Sequence, residues 1–460
     1  MNRETAAAID RLAAFAVDLD YARLDAAVQS RLELMLTDLL GVAAAGARTP
    51  EMRRLRASWQ AEPGRWPVIG ADTTTSAETA AYLSAASACC LELDEGNKYA
   101  QGHPAVQVVF AALAAAQLSE RPVSGAELLT AIAAGYEVAA RFGRALTRHK
   151  DWHTHGHWGA SGAACAAAMI RGCNERQIAA AIDASTALMH VTPWDLVING
   201  HFARNLWVAG ANMAGLNAAR LAHAELVVNS GAAASSLGSM VGTLDPDVLT
   251  DGLCVEWLTV GGYMKVHAAC SYTHAAVDLI QQLKQEHHVA PGGVAAVRVR
   301  THSLASPLFS GVPHNRISAM FSFPFVVSAA VLNERVDPAS MDPENPRFQA
   351  AKSFSANVEL TVSPDYDRRL PAERWTGVEL ELVNGATISA EQPNPRGDAD
   401  YHPFDAADVA AKLTNLLGAE DYGRIQDVVA ELPVSLDAAG ILRGLFLDPN
   451  PNQLEGANTD

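Results

Sequence analysis

Glu92, Asp94, Glu95, Lys98 and His103 fall within twelve residues, in the stretch Leu91-Glu-Leu-Asp-Glu-Gly-Asn-Lys-Tyr-Ala-Gln-Gly-His103-Pro104. Alanine-rich, helix-forming sequence flanks this stretch on both sides. Charges set in apolar sequence are costly unless they are solvated, paired or used. A carboxylate beside a histidine is also the usual equipment for moving protons near neutral pH. A second cluster, Asp151-Trp-His153-Thr-His155-Gly-His157-Trp-Gly159, puts three histidines at alternate positions just ahead of a glycine-bounded helix start. The free N–H groups and positive dipole end of such a helix favour a carboxylate. A third cluster, Gly261-Gly-Tyr-Met-Lys265-Val-His267-Ala-Ala-Cys270-Ser-Tyr-Thr-His274, carries a lysine where the texture of the sequence changes. Lysine in a cleft there binds a carboxylate or, if desolvated, acts as a base.

Each cluster also has a plainer reading: an exposed polar loop, a satisfied buried histidine, a solvated lysine. His-x-His can supply two zinc ligands, but only at a strand end in a parallel βα series, which this region lacks. No metal site is expected.

These residues must be held by something, and composition says what. A chain of 460 residues exceeds one hydrophobic core, so two domains are expected. Hydrophobic residues make up 49% but aromatics only 6%, a mixture that favours close-packed helices over a β-sandwich. A net charge of −17 argues against nucleic acid, whose phosphates it would repel. The six cysteines, at 89, 90, 165, 173, 254 and 270, show no CxxC spacing, which fits a reducing compartment. The start Met1-Asn-Arg-Glu-Thr lacks the features of a signal peptide, and no apolar stretch is long enough for a membrane span. A cytoplasmic protein is expected.

From Thr5 to Gly262 the pattern is repeated helix, with segments at Ala6–Val17, Leu24–Ala45, Ser76–Leu91, Ala105–Leu118, Gly125–Leu146, Gly159–Ile170 and Glu175–Met189. Several are alanine-rich on nearly every face, as expected of helices packed on both sides. After Lys265 the texture changes. Val294–Arg300 alternates as a strand, and the stretch from Val378 to Ile388 predicts a hairpin with Asn384-Gly385 as a type I′ turn. Helical pattern persists at Thr273–Gln285 and Phe321–Leu332, and returns at Asp405–Leu417 and Gly418–Leu432. The expectation is a mainly α chain: an all-helical domain from residues 1–264 and 405–460, with a smaller α+β domain at 265–404.

Together the three clusters resemble the MmgE/PrpD family, which includes 2-methylcitrate dehydratases, iminodisuccinate epimerase and cis-aconitate decarboxylase. The likeness also takes in Asp38–Gly46, Gly135–Arg141, Ala319-Met-Phe-Ser-Phe-Pro-Phe325 and Gly397–Pro403. It implies a large all-helical domain, a smaller α+β lid domain, an active site between them, a homodimer, and no metal or organic cofactor. Carried over residue by residue, it puts Asp94 and Glu95 on the family's acidic motif and His103 on its His-Pro. His153 falls on the histidine before the Gly-rich helix, and Lys265 on the lysine that opens the lid. The chain departs from the pattern at three places. It reads Gly200-His-Phe-Ala-Arg204-Asn205 where other members carry a lysine, Phe325 where decarboxylase members have a tyrosine, and Cys270 in place of a histidine.

The chemistry expected is proton abstraction α to a carboxylate of a small di- or tricarboxylate. His103 and His153 serve as base and acid, in either order, with Asp94 and Lys265 completing the catalytic set. Glu95, Lys98, His155, Arg204, Asn205 and Cys270 are the candidates for contacting substrate. Loss of a β-hydroxide would make the chain a hydro-lyase, and reprotonation from the opposite face an epimerase or isomerase. A non-catalytic protein binding a small acid is the reading from outside enzymology.

Overall fold

Alanine on every face lets helices approach closely, and the computed structural model, which describes residues 2–445, is built on that approach. The larger domain is built around α1 (Asn2–Asp18), α2 (Ala26–Ala47), α3 (Ala77–Ala88), α4 (Pro104–Gln117), α5 (Gly125–Ala145), α6 (Gly159–Ile170), α7 (Glu175–Ser185) and α8 (Ala203–His223), with shorter helices such as Pro50–Trp59 between them. Helix α6 is the centre, packed against α4, α5, α7 and α8. Nearly all its residues are buried, most of them alanine. A Cβ at Gly162 would lie 2.1 Å from the Gly135 carbonyl oxygen, so α5 and α6 can meet only with glycine there. Serine and asparagine caps set the helix starts, with reciprocal capping boxes at Ser124–Glu127 and Asn174–Gln177.

The smaller domain holds a four-stranded sheet of β1 (Val294–Thr301), β2 (Val358–Val362), β3 (Thr376–Leu382) and β4 (Thr387–Gln392), in the order β4-β3-β1-β2. Only β1 and β2 run parallel. Helices α9 (His274–Glu286) and α10 (Phe323–Leu332) cover one face, over buried Val297, Val299, Val378 and Leu380. The alternate residues face water, where Arg298 pairs with Glu379 and Glu381 at 2.7 and 3.0 Å. The last helices, α11 (Ala406–Leu417) and α12 (Ala419–Glu431), return to pack on α2. There Lys412 reaches buried Asp38 at 2.7 Å.

The architecture is mainly α with a smaller α+β domain, as the sequence implies. No helix among the described residues is long and apolar enough to cross a membrane. The structure differs locally from the sequence reading. Helix α8 and strand β2 were not read from the sequence. The turn after β3 is not type I′, because Gly385 has a positive φ (85°) and Asn384 does not. Gly385 N–H donates to the Leu382 carbonyl at 2.9 Å, and Leu382 N–H to that of Ala386 at 2.8 Å. This is a three-residue loop ending in a left-handed glycine, held by Asn384 Oδ1 accepting from the Ala386 N–H at 2.9 Å.

Candidate active site

Short pairings bring the three clusters together. Gly96–Asn97 forms an antiparallel ladder with Gly262–Tyr263, which sets the acidic loop beside Lys265. Asn97 and Gly102 exchange hydrogen bonds at 2.7 and 3.2 Å, curling the loop so that His103 returns next to Asp94. His103 then caps α4, with Pro104 at its first position. His153 is fixed through its backbone, whose N–H donates to the Thr192 carbonyl at 2.6 Å. Glu92 and Gln101, on either side of the loop, both hold the left-handed backbone that side chains rarely adopt (φ 54° and 50°).

The pocket these elements enclose lies between the domains. His103, His153 and Glu92 line it from the helical side, and Cys270, Tyr272, Phe321 and Arg374 from the α+β side. The two histidines are held in opposite states. His103 Nδ1 lies 2.7 Å from the Glu95 carbonyl oxygen, so it carries the proton and donates. Asp94 Oδ2 stands 3.2 Å from the same nitrogen. In the neutral ring Nε2 of His103 is then the nitrogen without a proton. His153 Nδ1 instead accepts from the His155 backbone N–H at 3.3 Å, which puts the His153 proton on Nε2. Burial above all, then Arg204 and Arg148, hold His153 well below the usual histidine pKa, so it is neutral at pH 7.

Behind the histidines sits a buried ion network. Glu92 accepts from Lys265 Nζ at 2.7 Å and is paired with Arg204. Asp94 Oδ1 lies 3.6 Å from Lys265. Burial alone would raise the Asp94 carboxyl, but Lys265 and then His103 outweigh it and hold Asp94 well below the usual carboxylate range. Burial likewise opposes the charge on Lys265 and Arg204, and Glu92 above all keeps both protonated.

Of the residues singled out in the sequence, His103, His153 and Cys270 line the pocket, and Asp94 and Lys265 stand immediately behind. Arg204 is also behind it, held by Glu92 and by the Cys89 carbonyl at 2.7 Å, with Asn205 Oδ1 at 3.3 Å as a further acceptor. His155 packs edge-on between the rings of His103 and His153, 4.7 and 4.6 Å away. Glu95 turns from the pocket toward Tyr136, and burial pushes its carboxyl up to about 8. Lys98 leaves the site altogether: it binds Asp398 and Asp400 at 2.9 and 2.7 Å. The start of α6 is covered by Gln107, which a Cβ at Gly159 would meet at 2.4 Å. That dipole end is not offered to the pocket.

Sequence reasoning passed over Arg148, Tyr272 and Arg374 as site residues, and gave Glu92 no role in the site. Glu92 had a signal, since it stood in the acidic loop. Arg148 had a faint one, five residues before His153, and Arg374 had none. Among the described residues no group of three or more His, Cys, Asp or Glu has the arrangement to hold a metal ion. Within the histidine cluster, His157 Nε2 is bonded to the His153 carbonyl at 2.7 Å.

Fold and site together define a two-domain protein with an Asp–His pair and an opposed neutral histidine in the cleft between its domains. The chain belongs to the MmgE/PrpD family: the family's N-terminal domain matches residues 10–250 and its C-terminal domain residues 267–432. It is 23% identical to a cis-aconitate decarboxylase-like protein of Aspergillus oryzae, over 91% of this chain and 93% of the relative. It is 22% identical to a cis-aconitate decarboxylase of Aspergillus terreus, over 89% of each.

Proposed function

We propose that the chain is a cofactor-independent lyase that removes the proton α to a carboxylate of a small di- or tricarboxylate and then expels a β-hydroxide. The carrying observation is the opposed protonation of the two histidines on one pocket. His103, without a proton at Nε2 and backed by ionised Asp94, is equipped to take a proton, and Asp94 stabilises the imidazolium that forms. Neutral His153 keeps its Nε2 proton and serves as a hydrogen-bond donor to the developing oxyanion. It is too weak an acid in that state to be the second proton donor. The proton on His103 is then the one available to the departing hydroxide, which supports a one-base elimination of water. Family membership and the decarboxylase relatives support carboxylate chemistry; Cys270 and Phe325 argue against decarboxylation itself, since they stand where decarboxylase members have a histidine and a tyrosine.

Cys270 supports a second reading. Its thiol lines the same pocket, and burial, then Glu92, push it up to about 11, so it carries a proton at neutral pH. A thiol opposite His103 would supply the second face of an epimerase. Incubating the protein in deuterated water with 2-methylcitrate, citrate, cis-aconitate and iminodisuccinate separates the two. Deuterium uptake with release of an alkene supports the lyase. Uptake with inversion alone, lost in Cys270→Ala, supports the epimerase. No exchange in any of the four would leave a protein that only binds small acids. We further infer that the active form is a cytoplasmic homodimer, tested by light scattering of the purified protein and by fractionation of the cells that make it.

A further inference from the structure

The network behind the histidines is balanced. Glu92 and Asp94 carry two negative charges, and Lys265 and Arg204 two positive ones, all four side chains fully buried. Neither cation is free to hold a substrate carboxylate, which is the role the sequence suggested for both. Two other guanidiniums line the same pocket, Arg148 and Arg374. Among the described residues neither has a carboxylate within ion-pair distance.

Their other contacts hold them in place without neutralising them. Arg148 donates to the Trp152 carbonyl at 2.8 Å. Arg374 donates to the Lys98 carbonyl at 3.2 Å and lies over the rings of Tyr272 and Tyr263, with centroids at 5.3 and 5.9 Å. Its Nε is buried with no partner. Asp398 and Asp400 are taken up by Lys98, and Glu373, the chain neighbour of Arg374, by Arg369 and the Trp375 N–H. A buried, unpaired guanidinium is costly, and a bidentate carboxylate is the partner its planar fork fits. Among the described residues the rest of the wall holds no further lysine or arginine; Trp194 and Phe321 line it with the neutral groups of Gln101, Thr154, Ser271 and Cys270.

We propose that Arg148 and Arg374 are the carboxylate anchors of this pocket, and that it selects substrates with two carboxylates over those with three. The inference rests on the reading of this pocket as a carboxylate site, but it can be tested without turnover. The probes are citramalate, a hydroxy dicarboxylate, and citrate, its tricarboxylate counterpart. Calorimetric titration of the whole protein should show citramalate binding more tightly than citrate. Arg148→Gln and Arg374→Gln should each weaken citramalate about 10- to 100-fold, the loss expected for one charge-assisted bond. Arg374→Lys, which keeps the charge but not the fork, should lose less than Arg374→Gln, and shows that the loss is not misfolding.

Unchanged affinity in both glutamine variants overturns the proposal, as does tighter binding of citrate or no binding of citramalate. Deuterium exchange on the same samples keeps the two claims apart. Binding that depends on both arginines, with no exchange, retains the anchors and discards the acid–base reading. Exchange whose KM ignores both arginines does the reverse.

Discussion

Lys265 Nζ stands 2.7 Å from Glu92 Oε1, and neither side chain is open to solvent. A lysine so held is a fixed positive charge. It depresses the Asp94 carboxyl and does not exchange protons itself. Glu92→Gln would leave Lys265 and Arg204 buried with one counter-charge between them. We expect a loss of about 3–5 kcal/mol, the usual cost of breaking a buried pair, read as a lowered Tm and urea midpoint. A stability within about 0.5 kcal/mol of the parent would show the network to be solvated.

Arg204 shares that fate. Arg204→Ala should destabilise by a similar amount, about 3–5 kcal/mol, because Glu92 loses a partner in a buried place. Arg204→Lys, which keeps the charge and loses the fork, should cost less, on the order of 1–3 kcal/mol. If substrate KM rose in Arg204→Lys with no change in Tm, Arg204 would be a substrate contact after all.

Removing His103 tests the base. His103→Ala should lower kcat by about 10²–10⁴-fold with little change in KM. His153→Gln, which retains a donor, should lose less than His153→Ala. Equal losses in the two His153 variants would mean that the ring, not its Nε2 proton, is what matters there.

The buried histidines also set a pH limit. Burial pushes His153, His155 and His274 well below 6.5, and His157 and His302 to about 3. Below pH 6.5 the unfolded chain therefore binds protons that the folded chain refuses. Stability is complete above that value and falls as the pH drops, by about 1.4 kcal/mol per pH unit for each such histidine. Glu95, raised from 4.5 to about 8, works in the opposite direction, since its folded form keeps a proton that the unfolded form gives up between those values. Burial raises Asp38 and Glu137 as well and lowers His190, so six histidines stand against three carboxylates, which leaves a net loss on acidification. Urea unfolding from pH 7 to 5 should show it, and His157→Gln should reduce the slope by about one proton.

Lys98 ties the loop that carries His103 to residues 398–400 of the α+β domain, helped by a 2.9 Å bond from Tyr99 to Asp400. Lys98→Ala should loosen that strap. Trypsin cleavage after Arg396 should accelerate by about tenfold or more, following the open population. An unchanged cleavage rate would mean that the Met264 N–H···Gly397 carbonyl bond, at 3.2 Å, suffices to hold it.

What the sequence disclosed follows from how local each feature is. Asp94 and His103 lie nine positions apart in one loop, and the Asn97–Gly102 bridge closes that loop, so their pairing was legible. The helices were legible because alanine and leucine repeat with helical period. Strand β2 was not, since it is short and largely exposed and carries little periodic signal. Arg374 reaches the pocket only through the tertiary fold, and a solitary arginine has no pattern to betray it. Arg204 looked like a ligand for substrate because its counter-ion, Glu92, is 112 positions away in the chain.

The contact between Asp38 and Lys412 has a consequence for biogenesis. The two are 374 positions apart, and Lys412 also donates to the Leu93 carbonyl at 2.9 Å, one residue before Asp94. A ribosome makes the loop, both histidines and the α2 acid long before it makes the lysine that secures them. Everything up to helix α11 therefore leaves synthesis with a buried aspartate lacking its cation and an acidic loop without its anchor. The loop that carries Asp94 can be secured only after α11 has been made.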